Sequence, residues 1–186
     1  MNLYDKMGQA LSYSEFLQRH GTEVHRQRWQ QFHAQVTLSA DQGALLASFQ
    51  RTMPVLCLAG AWCGDCVNQC PIFDHFAAAA PALQLRFLDR DVDPDVRQAL
   101  RINGGDRVPV LVFFSEDGFE VARYGERTLS KYRQLMRDQT GPSCPTGITI
   151  GKDPLVVQVI QDWLNEFERA QWLLRLSPRL RQKHGD

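Results

Sequence analysis

The run 54–61, Pro-Val-Leu-Cys-Leu-Ala-Gly-Ala, carries no charged or amide side chain and leads straight into Trp62-Cys63-Gly64-Asp65-Cys66. A segment this short and this uniformly apolar reads as a strand buried on both faces, because alternation arises only where one face meets water. A strand covered above and below needs helices on both sides of its sheet, which commits the chain to an α/β core. The two thiols are committed as well. Where a strand feeds a helix, the joining loop lies at the carboxyl edge of the sheet, where open α/β folds place their sites.

The flanking pattern extends that core. Ser12-Tyr13-Ser14-Glu15 has capping-box spacing, and Phe16, Leu17, Val24, Trp29, Phe32 and Val36 recur at roughly helical intervals, so residues 1–37 are expected to form an N-terminal helical arm. Ser39 with Gln42 is a second capping box and opens an amphipathic stretch through Phe49. Beyond the motif, one helix is expected over 66–79, ended by Pro81, then a strand over 83–88. Asp93-Pro94 supplies an N-cap and first-turn proline for a short helix to Leu100. Residues 108–114 and 119–124 flank Ser115-Glu116-Asp117-Gly118 and read as an antiparallel hairpin, followed by a helix over 129–138.

A βαβ unit ahead of a hairpin and a helix predicts a central mixed sheet flanked by helices, built from residues 38–140. In 141–186 the breaker-rich stretch 140–147 reads as a loop, and Asp153-Pro154 caps a long helix to about Leu176. Its Val156, Ile160, Trp163, Phe167, Ala170 and Leu174 form an apolar seam. The seam is expected to lie on the domain or on the N-terminal arm, or else to join two copies as a homodimer.

Composition narrows the functional classes. A chain of 186 residues with 44% hydrophobic content suits one soluble core with additions, and a formal net charge of +0 lacks the field expected of a nucleic-acid binder. The locally basic stretch 175–183 reads as a solvated helix end. The first residues lack a basic segment followed by an apolar one, and no window approaches the roughly 18 uncharged apolar residues of a membrane span, so neither export nor a membrane is expected. Cys57, Cys63, Cys66, Cys70 and Cys144 are too few, and odd in number, for a structural disulfide framework. A reducing cytoplasm, with the C-x-x-C resting as a dithiol, is the expected setting.

Two thiols spaced C-x-x-C at a helix mouth give a nucleophile and a resolving partner one turn away, which is the requirement for exchanging disulfides. Cys63 falls at or just before the helix N-terminus, where free N–H groups and the macrodipole favour an anion by roughly 0.3–1 kcal/mol. Cys66, inside the first turn, is expected to be buried. No cofactor and no metal is required. Cys63-x2-Cys66-x3-Cys70-Pro71 also matches the tail of an iron–sulfur pattern, but Gly60 stands where its first ligand belongs, and His75 reads as an ordinary helix histidine.

With W-C-x-x-C after a strand and Val108-Pro109 opening a later one, the chain resembles the thioredoxin superfamily over roughly residues 38–139. The resemblance implies a thioredoxin-like fold in which Cys63 attacks, Cys66 resolves, Trp62 packs beside the loop and Pro109 is a cis-proline facing the disulfide. Val108 would present its backbone to a substrate peptide, and specificity would lie around Trp62, Asp65, Val108 and Pro109. The implied activity is thiol-disulfide exchange on protein or small-molecule disulfides, with a thiol reductase to recharge the chain. The alternative is an interaction module of the same fold with little redox turnover.

Two positions depart from the family's usual pattern. Asp65 replaces the usual proline, and its carboxylate would compete with the Cys63 thiolate for the helix dipole and raise its pKa. Cys57 stands where a buried aspartate usually moves protons for the resolving thiol, so resolution is expected to be slower or to use water, Asp89 or Asp91. Cys70, one turn beyond Cys66, reads as packing, with a backup partner for Cys66 as the alternative. Cys144 reads as a bystander, with glutathionylation or a bridge between chains as the alternative.

Overall fold

A computed structural model gives the placement of residues 2–140 and 154–185. After a 3-10 turn (Leu3–Gly8), helices α1 (Tyr13–His20) and α2 (Glu23–His33) each open with a reciprocal capping box, Ser12 with Glu15 and Thr22 with His25. The second box is not foreseen from the sequence, because its closing residue is a histidine rather than Glu or Gln. Helix α3 (Ala40–Ala47) starts on the Ser39–Gln42 box. Phe16, Leu17, Trp29 and Val36 are buried, whereas Val24 is exposed.

The N-terminal segment, helical as expected, is packed against the body of the protein. The Tyr13 and Phe16 rings lie 5.8 and 5.6 Å from the Phe87 ring, and Leu11 exchanges two backbone hydrogen bonds with Phe87, at 2.8 and 2.7 Å. Each fully buried aromatic of this kind contributes roughly 1.5–3 kcal/mol through the water it no longer touches.

Strand β1 (Met53–Ala59) is buried at every position, as its uninterrupted apolar sequence requires. The chain continues through α4 (Gly64–Val67), α5 (Cys70–Ala79), β2 (Leu83–Asp89), α6 (Pro94–Ala99), β3 (Val110–Phe114), β4 (Glu120–Gly125) and α7 (Leu129–Thr140). Sheet order is β2-β1-β3-β4, with β1 parallel to β2 and antiparallel to β3, and β3 antiparallel to β4. This is the mixed sheet flanked by helices that the pattern predicts. The single helix expected over 66–79 is instead two. Pro71 has no N–H for the Val67 carbonyl and its ring crowds that group, so the helix stops at Val67 and restarts at Cys70 through Gln69, at φ −132°.

Helix α8 (Leu155–Arg175) follows, and Ser177 with Pro178 starts α9 (Pro178–His184). Of the apolar seam, Ile160, Trp163, Phe167, Ala170 and Leu174 are buried inside this chain. Phe167 meets the Phe76 and Phe113 rings at 5.2 and 5.0 Å, and Trp163 meets the Phe73 ring at 4.6 Å. The seam is thus covered by the chain's own sheet and α5, the first of the two placements considered from sequence. Thr140 ends α7, while the rest of the loop expected at 140–147, with Cys144 and the expected cap Asp153, lies outside the described residues. Among the described residues no helix is long and apolar enough to cross a membrane.

Candidate active site

Register assembles the site. Antiparallel pairing sets Leu58, one residue before the end of β1, opposite Val110, and Val110 opposite Gly125. The segment before β3, Val108-Pro109, and the segment after β4, Glu126-Arg127, therefore arrive at the same sheet edge as the motif loop. The Val108–Pro109 peptide is cis, and the Val108 carbonyl lies 3.6 Å from Cys63 Sγ.

Cys63 is the N-cap of α4, with extended backbone (φ −76°, ψ 126°) and no capping bond from its side chain, and it is half-buried. Cys66 is buried behind it and accepts the Gly60 N–H at 3.5 Å. The two thiols influence each other's ionisation and titrate as one dyad. Burial pushes Cys66 up, but hydrogen bonds from Cys63, Cys70 and Gly60 outweigh it and bring it down to about 5. The bond to Cys66, then burial, hold the Cys63 thiol above the ordinary range. The dyad gives up its first proton easily and its second with difficulty. Of the two sulfurs only that of Cys63 can reach a substrate, since Cys66 is fully buried.

Asp65 is not the uncompensated charge expected from sequence. The Arg127 guanidinium holds its carboxylate at 2.7 Å, so much of its field at the dyad is cancelled. Glu126 beside it accepts from the Tyr132 hydroxyl at 2.9 Å. Trp62 is 43% exposed, with the Arg90 guanidinium stacked 4.5 Å from its ring centroid. Its ring lies so close to the backbone that a Cβ on Gly60 would sit 2.8 Å from Trp62 Cε2, so glycine is needed there.

Two buried indoles bracket the motif. Trp29, from α2, donates to the Ala61 carbonyl at 2.8 Å, one residue ahead of Trp62. Trp163, from α8, donates to Gln69 Oε1 at 2.8 Å, and Gln69 Nε2 in turn donates to the Asp65 carbonyl at 3.1 Å and the Glu126 carbonyl at 2.9 Å. A cleft of about 240 Å³ between Asp65 and the start of α8 is lined by Phe32, Leu155, Val156 and Val159 on its apolar side and by Asn68, Gln69 and Lys131 on its polar side.

Neither acid considered as a proton acceptor lies among the thiols' hydrogen-bond partners. Asp89 accepts the Asp91 N–H at 2.9 Å, and Asp91 pairs with Arg90 at 3.0 Å. The Cys57 sulfur lies 4.0 Å from the Leu58 carbonyl, and burial raises its pKa, so it does not act as the missing acid either. Among the described residues no group of three or more His, Cys, Asp or Glu side chains is placed to hold a metal ion.

Arg127, Gln69, Trp29 and Arg90 are the site residues that sequence reasoning missed. Gln69 did leave a trace: with Asn68 it forms a pair of amides directly before Cys70-Pro71.

A family model described as thioredoxin matches residues 10–155. No curated protein matches the chain. Among solved structures, a protein of unknown function from Pseudomonas aeruginosa is 15% identical, with 91% of this chain and 96% of that one covered, at a TM-score of 0.69. An HIV epitope-scaffold is 17% identical, with 92% and 94% covered, at 0.63. Thioredoxin f2 of Chlamydomonas reinhardtii is 18% identical, with 57% of this chain and 96% of that one covered, at 0.36. The family match starts at residue 10 and so takes in α1 and α2, beyond the 38–139 span of the sequence resemblance.

Proposed function

This chain belongs to the thioredoxin family, and on that premise we propose that it is a thiol-disulfide oxidoreductase reducing protein or small-molecule disulfides through Cys63 and Cys66. The observation that carries the proposal is the placing of a half-buried Cys63 sulfur at a helix N-cap, 3.6 Å from the Val108 carbonyl, with Cys66 buried behind it. A substrate peptide lies along Val108, before Pro109, in a strand-like contact, and its disulfide meets Cys63. The Cys63 thiolate attacks one substrate sulfur and expels the other as a thiolate, forming a mixed disulfide. Cys66 then attacks Cys63 Sγ, releasing the second substrate thiol and leaving a Cys63–Cys66 disulfide.

Trp62 and the cleft beside Asp65 suit a protein substrate, because both offer area to side chains flanking the reacting disulfide. A thiol reductase of a reducing compartment, the cytoplasm by preference, returns the chain to the dithiol. Insulin reduction with dithiothreitol tests the proposal. Wild type accelerates precipitation, Cys63→Ser falls to background, and Cys66→Ser accumulates a mixed disulfide at Cys63. Equal inactivity of wild type and Cys63→Ser would favour an interaction module of the same fold.

A further inference from the structure

On the Asp65 side of the motif the carboxylates are tucked in and the cations point out. The Glu126 and Asp65 side chains are 8% and 21% exposed, against 54% for Arg107, whose ion pair with Glu126 is stretched to 3.8 Å. Arg127 is spent on both acids, at 2.7 Å to Asp65 and 3.3 Å to Glu126. The Lys131 ammonium, in the first turn of α7, has no ion pair or hydrogen bond among the described residues. Asp65 and Glu126 are thus outnumbered by Arg107, Arg127 and Lys131, and a molecule approaching from this side meets positive charge.

Lys131 also lines the cleft beside Asp65, where four helices meet. Phe32 comes from α2, Asn68 from the end of α4, Lys131 from α7, and Leu155, Val156 and Val159 from α8. Gln69, on the same lining, is fixed by Trp163 and by the Asp65 and Glu126 carbonyls, so the cleft is formed before anything enters it. Its volume of about 240 Å³ falls below the roughly 300–1,000 Å³ of sites that enclose a whole small molecule, and suits one or two side chains.

We propose that this cleft is a substrate subsite: an apolar residue close to the reacting cysteine enters among Phe32, Val156 and Val159, and an adjacent Asp or Glu pairs with Lys131. The chain then selects protein disulfides flanked by an apolar and an acidic residue. This rests on the thiol-disulfide activity proposed for Cys63 and Cys66.

Position makes the cleft reachable. Asp65, on its rim, is two residues beyond Cys63, and an extended peptide advances roughly 3.3–3.6 Å per residue, so the first few residues beside the reacting cysteine pass it. Charge decides the rest. A carboxylate gains Lys131 without displacing a partner, whereas a basic residue brings two cations together, and like charges across an interface are costly. The apolar wall supplies affinity without sign, and the few polar groups on the lining fix orientation.

The test measures kcat/KM of the full chain on disulfide-bonded peptides that differ only in the pair beside the cysteine: Leu-Glu, Ser-Glu or Leu-Lys, placed before it or after it. Each rate is taken relative to that on hydroxyethyl disulfide, so a change in the thiol itself cancels. Leu-Glu should exceed Leu-Lys about tenfold at about 0.01 M salt, and the gap should close at about 1 M, where the Debye length falls from roughly 30 to 3 Å. Leu-Glu should exceed Ser-Glu about fivefold at both, since burying an apolar side chain needs no field. Lys131→Glu should reverse the order of Leu-Glu and Leu-Lys, and Val156→Ser should shrink the gain from leucine.

Equal relative rates on Leu-Glu and Leu-Lys at low salt overturn the subsite, a result that needs no variant to fold. So does a preference for Leu-Glu that survives Lys131→Glu. A chain that reduces neither the peptides nor hydroxyethyl disulfide would instead count against the activity of Cys63 and Cys66 itself.

Discussion

Trp29 and Trp163 do the same job from opposite ends of the chain and do it differently. Both are fully buried and both donate an indole N–H toward the motif. Trp29 holds the loop backbone directly, at the Ala61 carbonyl. Trp163 acts through Gln69, whose single amide joins α8, the Asp65 carbonyl in α4 and the Glu126 carbonyl after β4. The N-terminal side is one bond to one residue. On the C-terminal side, three segments share one side chain, so disturbing any of them moves the others.

Gln69→Leu should therefore have the largest effect. It leaves the Trp163 N–H and the Asp65 and Glu126 carbonyls without this partner, at about 1–3 kcal/mol for each buried group left unsatisfied, so urea unfolding should register a loss of roughly 3 kcal/mol or more. Trp29→Phe keeps most of the ring but orphans the Ala61 carbonyl. A loss of about 1–3 kcal/mol is expected, with a change in the alkylation rate of Cys63, because the residue beside Trp62 is no longer held. If both variants cost the same, the contrast between direct and shared anchoring is wrong.

Arg127→Gln should have the smallest effect on stability, under about 1 kcal/mol, since its ion pair with Asp65 is partly exposed. Its signature is in pH. Removing the cation exposes the dyad to the Asp65 carboxylate; a nearby negative charge disfavours thiolate, so the dyad's first pKa rises. The midpoint of the alkylation-rate profile of Cys63 should move upward by about half a pH unit, and Asp65→Asn added to Arg127→Gln should bring it back.

What the sequence discloses and what it hides divide along the range of the interaction. Ser12 with Glu15, Ser39 with Gln42, and Asp93-Pro94 are signals within a few residues, and each opens the helix expected of it. The unbroken apolar run of β1 and the hairpin around Gly118 are local too. The same rules cover Pro71, whose missing N–H marks the break after Val67. Cys63 and Cys66 are legible for the same reason, since their spacing is a local motif.

Arg127 could not be matched to Asp65, because only the sheet register brings those segments to one edge, nor Trp29 to Ala61, because only the packing of α2 against α4 and α5 does. The α8 seam was visible, but an apolar stripe does not name its partner. Here that partner is Phe73, Phe76 and Phe113 of the same chain.

The bond between Trp163 and Gln69 spans 94 residues of sequence, and this sets an order of events in time. A chain leaving the ribosome presents Cys63 and Cys66 long before α8 exists to be docked, and contacts that far apart are formed late because the loop they close is long. Until then Gln69 has no indole to hold it, and the backbone behind Asp65 lacks its anchor. The motif is made early, but its finished geometry is among the last things the nascent chain acquires.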